Sequence, residues 1–95
     1  MIELLASLVI STEDQITLNE KDKQMAFEIC EYASLPESND RGFNIIVNKL
    51  SSVYVEEGIE TGIENHYQYA MLKTTKVLRL VNTKAREGGC DSILE

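Results

Sequence analysis

The stretch IENHYQYAMLKTTKVLRLVNTKAR, residues 63–86, contains no proline or glycine and reads as one long amphipathic helix. At about 100° per residue, Ile63, Tyr67, Ala70, Met71, Thr74, Val77, Leu78, Val81 and Ala85 share one arc of roughly 120°, the expected core stripe. The opposite arc carries Lys73, Lys76, Arg79, Lys84 and Arg86, with no acid between Asn65 and Arg86. Tyr69, Leu72 and Leu80 are interleaved with these cations. A helix with one buried stripe does not need a second apolar ridge, so Tyr69, Leu72, Lys73, Lys76, Arg79 and Leu80 form a candidate interaction surface.

Working outward, Gly88-Gly89 ends this helix, with Lys84 and Arg86 in the last turn, where the helix dipole favours cations. Upstream, Gly58 and Gly62 break the pattern and separate it from a helix over about 41–57, whose Phe43, Ile46, Val47, Leu50, Val53 and Tyr54 share one face. The two helices are expected to pack as an antiparallel hairpin, about 41–57 against 63–87. The segment from Ser34 to Gly42, with Leu35-Pro36 and Ser38-Asn39-Asp40, is a linker. Before it, Asn19 is an N-cap candidate with Glu20 and Asp22 in the first turn, and Met25, Ala26, Ile29, Cys30, Tyr32 and Ala33 lie on one arc. Ile2 to Ile10 is apolar on most of its circumference and leans towards a short helix. The expected fold is an all-α, four-helix single domain spanning residues 1–95.

Ninety-five residues support one modest core, and association with a second copy would supplement it. The net charge of −7 is asymmetric: residues 1–40 hold nine acids against Lys21 and Lys23, whereas residues 41–95 balance seven acids with seven bases. That acidity opposes double-stranded nucleic acid, because affinity for a polyanion rests on phosphate neutralisation. It suits a basic protein patch or simple solubility. Leu4 to Ile10 is too short to span a bilayer, and Glu3 stands where a signal peptide carries positive charge. Cys30 and Cys90 are too few for a disulfide framework. With the lone His66 they match no zinc spacing. Cys30 reads as a core residue, and a reducing cytoplasm as the expected location, the host's if the chain is phage-encoded.

The densest polar feature is Glu56-Glu57-Gly58-Ile59-Glu60-Thr61-Gly62-Ile63-Glu64. On a continuous helix Glu57, Glu60 and Glu64 lie nearly on one face and form a candidate metal set for a hard cation such as Mg²⁺. Glu57 also falls on the apolar arc of its helix, where an unpaired carboxylate is costly. Acids ahead of a helix start are equally well explained by the dipole.

Glu57-Gly58-Ile59-Glu60 resembles the first Glu-x-x-Glu element of the all-helical MazG-like nucleoside triphosphate pyrophosphohydrolases, including their phage-borne members. Lys73 to Leu80 is similar to the basic, apolar helix near it. The resemblance covers about residues 43–87 and implies Mg²⁺ at Glu57, Glu60 and Glu64, with Lys73, Lys76 and Arg79 towards phosphates. The family's second acidic pair has no counterpart, since Glu87-Gly88-Gly89-Cys90-Asp91 has the wrong spacing. The expected function is therefore that of a small acidic, homo-oligomeric interaction or regulatory protein of the phage or mobile-element kind, without catalytic residues or cofactor. A MazG-like hydrolase and a small phosphorylated-ligand-binding module are the alternatives.

Overall fold

A computed structural model describes residues 16–95. The apolar segment Ile2 to Ile10, with its expected first helix, lies outside them. Within them the chain forms α1 (Glu20–Ala33), α2 (Asp40–Glu60), α3 (His66–Glu87) and a terminal 3-10 helix, Cys90–Leu94. The described residues are all-helical and hold three of the four expected α-helices, together with this short terminal turn. No helix among them is long and apolar enough to cross a membrane.

Each α-helix starts on an asparagine. The Asn19 side chain accepts from the Asp22 backbone N–H at 2.9 Å while the Asp22 carboxylate accepts from the Asn19 N–H at 2.8 Å, a reciprocal capping box. Asn39 caps α2 through the Gly42 N–H at 2.8 Å, and Asn65 caps α3 through the Gln68 N–H at 3.2 Å. The linker after α1 thus ends where α2 is capped.

The helix α2 does not stop at Gly58 as the sequence suggests; it continues to Glu60. Gly58 is buried, and a Cβ there would meet the His66 Cβ at 2.8 Å and the Tyr69 ring at 3.2 Å. The glycine serves close helix approach rather than a break. Contacts from Gly58 to His66 and from Glu57 to Tyr69 and Lys73 show α2 and α3 running antiparallel. The Tyr54–Asp22 bond sets α1 antiparallel to α2, so the three helices run up, down and up.

The core is Ala26, Ile29 and Cys30 of α1, Leu50 and Tyr54 of α2, Ala70, Val77 and Val81 of α3, and Ile93 of the terminal turn. The inner face of α3 is Ala70, Lys73, Thr74, Val77 and Val81. That corrects the expected stripe, because Tyr67 is 70 % and Met71 59 % exposed while Lys73 is 2 % exposed. The face is turned by about 50°, half of the roughly 100° step per residue. Leu80, read as part of an outer ridge, packs against the core, and Leu72 is half-buried.

A second correction concerns the cysteines. Cys30 of α1 is a core residue, as expected, and it is also joined to Cys90 by a disulfide with a Cα–Cα distance of 5.6 Å. Gly89, at φ 84°, turns the chain back from α3 so that Cys90 reaches α1 and Ile93 enters the core.

Candidate functional site

The polar centre of the molecule lies where all three helices meet. Lys73 of α3 sends its ammonium inward to Glu57 Oε2 at 2.6 Å, Asp22 Oδ2 at 3.2 Å and the Tyr69 hydroxyl at 3.2 Å. These three acceptors match the three protons an ammonium can donate. The Tyr69 hydroxyl donates to Glu57 Oε2 at 2.5 Å, and the Tyr54 hydroxyl donates to Asp22 Oδ1 at 2.9 Å. The ammonium also stands 4.7 Å from the Tyr54 ring centroid and 5.5 Å from that of Tyr69, within cation–π range.

Five residues thus form one connected cluster, Asp22, Tyr54, Glu57, Tyr69 and Lys73. Local sequence explains each position. Asp22 faces inward because the capping box fixes its backbone at the first turn of α1. Tyr54 and Glu57 are one turn apart on the inner face of α2, and Tyr69 and Lys73 are four apart on α3. Asp22 and Tyr54 are 1 % and 0 % exposed, so the cluster is dry at its α1 end. Glu57, whose side chain is about one-third exposed, and Tyr69 are its partly open members.

Electrostatics follow from this enclosure. Burial alone pulls the Lys73 ammonium down, but the hydrogen bonds to Glu57 and Tyr69 and the charge of Asp22 outweigh it and hold the group above its ordinary value. Burial raises Tyr69, and its bond to Glu57 adds to that against the opposing pull of Lys73. Tyr54 is raised far above the usual phenol range, by burial first and then by its bond to the Asp22 carboxylate. The lysine is charged and both phenols are neutral across the physiological range. None is poised as a general acid or base near neutrality.

The residues marked in the sequence are distributed differently from the expectation. Of Glu57, Glu60 and Glu64, only Glu57 enters the cluster, where an ammonium occupies its lone pairs, while Glu60 and Glu64 are exposed. No group of three histidine, cysteine or acidic side chains among the described residues is placed to hold a metal ion. Of Tyr69, Leu72, Lys73, Lys76, Arg79 and Leu80, Lys73 is wholly internal and Tyr69 is committed to the cluster. Lys76 donates to the Ile16 carbonyl, which ties the start of the described chain to α3. Arg79 is exposed but engaged. Asp22 and Tyr54 carried no sequence signal beyond a cap and a core aromatic.

Several large apolar side chains also face solvent. Ile45 at 53 %, Val53 at 38 % and Ile59 at 55 % exposure stand on the outer side of α2. Beside them Met25, Ile29, Ile46, Leu50 and Val53 line a groove of about 280 Å³ between α1 and α2. A second hollow of about 650 Å³ lies between the end of α1 and α3, next to Cys30. Compared with known proteins, the chain matches no family model, no curated protein and no solved structure.

Proposed function

We propose that this chain acts by binding protein, as a small acidic helical module without catalytic chemistry. The observation that carries this reading is a contrast. Of the acids that suggested a site, Glu57 is consumed inside the fold by Lys73, as is Asp22, whereas Ile45, Val53 and Ile59 face solvent along one helix. Side chains of that size left in water on a short domain mark a contact surface more often than decoration when they cluster on one element. The exposed acids of α1, its linker and the first residue of α2, Glu20, Glu28, Glu31, Glu37 and Asp40, give the surface a charge suited to a basic partner.

The MazG-like alternative needs Glu57 free for Mg²⁺, and the ammonium at 2.6 Å competes directly for that carboxylate. A small phosphorylated ligand would need accessible cations on α3, and Lys73 is not one. The disulfide favours an oxidising compartment over the cytoplasm, since such bonds persist where thiols are not kept reduced.

The deciding experiment is thermal stability in the presence of nucleoside triphosphates, with and without Mg²⁺, together with an assay for released phosphate or pyrophosphate. No shift and no turnover are expected. Turnover that needs Mg²⁺ and disappears in Glu60→Gln would overturn the reading in favour of the hydrolase. A shift with one phosphorylated compound regardless of metal would assign the ligand module.

A further inference from the structure

We infer that the outer face of α2 seats a second copy of this chain, the two α2 helices lying antiparallel about a two-fold axis at Ser52. The inference rests on the protein-binding reading above and names the partner. Its starting point is a spacing. Ile45 and Ile59 are each seven residues from Ser52, so the three fall nearly on one line of the helix, drifting by only about 20° per heptad. Both isoleucines are more than half exposed, at 53 % and 55 %.

Lys49 and Glu56 flank that line on one side, both exposed. Neither side chain makes a hydrogen bond or ion pair among the described residues. Lys49 lies about 4.5 Å along the axis before Ser52 and Glu56 about 6 Å beyond it, at about 1.5 Å per residue.

Reversing a second helix about Ser52 therefore sets each Lys49 beside the other copy's Glu56, and each Ile45 against the other's Ile59. A parallel arrangement carries the Lys49 and Glu56 of the two copies to opposite sides of the contact line, so neither charge meets its complement. The order Ile, Lys, Ser, Glu, Ile is thus self-complementary only in the antiparallel sense, as an isologous interface requires. Serine at the centre leaves little bulk between the backbones. Val53 and the groove beside it, with Met25 and Ile46, give the contact apolar depth on the same side.

A foreign partner would not require this two-fold symmetry of charge and side-chain size within a single helix. One helix pair with its flanks falls below the surface of a standard stable interface, about 1,600 Å² in total. The association is therefore reversible, with a dissociation constant on the order of 10–100 µM.

Sedimentation equilibrium of the oxidised full chain tests this between about 5 and 500 µM. The mean mass should climb from one chain towards two. Lys49→Glu and Glu56→Lys should each weaken association about tenfold or more, and the two together should restore it. In a second measurement, Ser52→Cys should give a disulfide-linked dimer on mild oxidation, whereas Ile45→Cys should not, because its neighbour across the axis is Ile59. Circular dichroism checks that each variant keeps its helices, and all four positions are solvent-facing.

A mass that stays at one chain throughout overturns the inference while leaving binding to a different protein open to its own test. Dimerisation unaffected by Lys49→Glu, or cross-linking equally at both cysteine positions, overturns it in favour of another face or a parallel pair. Magnesium-dependent turnover would overturn the protein-binding reading itself, so the two failures are distinguishable.

Discussion

The two ends of the helical bundle are held by opposite means. Where α1 begins, three helices converge on a buried ammonium balanced by two carboxylates and two phenols. Where α1 ends, a disulfide and one buried isoleucine fasten a 3-10 turn of five residues. The first end is stabilised through the folded state, since its charges are favourable only while correctly paired. The second acts largely through the unfolded state, by shortening the conformational freedom of a chain closed across 60 residues. A short domain has too little apolar surface to hold both ends by packing alone.

The sharpest way to break this contrast is to remove the charge at its centre. Lys73→Met keeps a long side chain on α3 but strands Asp22 and Glu57, with Asp22 fully enclosed. A loss of about 3–5 kcal/mol is expected in urea unfolding, because the uncompensated buried charge costs more than the pair contributed. A loss below 1 kcal/mol would mean that water reaches Asp22 and the cluster is not closed.

Next in size is the other end. Replacing Cys30 and Cys90 together by alanine should cost about 4 kcal/mol on the chain-entropy estimate for a loop of this length, with about 2 kcal/mol as the lower expectation. Hydrogen exchange should quicken first in residues 90–95, because a five-residue 3-10 turn has little stability of its own. Protection across α2 and α3 should fall only with global stability. If α2 and α3 lose protection selectively, the disulfide supports the hairpin directly and the contrast fails.

These two regions also show what a sequence discloses. The cap at Asn19 and the apolar periods of α1 and α2 are local signals, and the helices follow them closely, whereas Asn65, which lies inside the helix expected from Ile63, proves to be the cap of α3. The inner face of α3 was misread because periodicity counts a lysine as outside. Lys73 is inside only because two acids from distant segments, Asp22 and Glu57, meet it there. Glu57 on an apolar arc was a visible sign that something must pair with it, but no local rule named the partner. Gly58 likewise announces a special position, and only the packing of His66 and Tyr69 shows that it permits close approach rather than ending a helix. The disulfide joins residues too far apart for spacing to suggest it.

The cluster makes a pH prediction of intermediate size. Lys73, Tyr54 and Tyr69 all hold their protons above their ordinary values. Once pH passes about 10 the unfolded chain releases these protons while the folded chain retains them. The native state then binds more protons, so stability, intact below pH 10, falls as pH rises, by about 1.4 kcal/mol per unit for each group involved. Denaturant midpoints between pH 9 and 11.5 should show this decline, shallower in Tyr54→Phe. A flat profile would mean that the phenols are solvated, and the dry end of the comparison would be lost.

The smallest effect sits between the two ends. Thr74, one residue from Lys73 and 7 % exposed, has a buried hydroxyl oxygen without a partner among the described residues. The cluster beside it satisfies every proton of its ammonium, so this hydroxyl is left as an isolated polar group between Lys73 and the apolar remainder of the inner face of α3. Replacing it by valine, nearly the same in shape, removes a desolvated group without opening a cavity or breaking a bond. Valine is no better a helix former than threonine, so propensity does not contribute. Thr74→Val should raise stability by about 0.5–1 kcal/mol, seen as a higher urea midpoint with an unchanged slope. A decrease would show that the hydroxyl has found a partner, with a buried water or the backbone one turn earlier as candidates, and that the polar region extends beyond the five residues that meet around Lys73.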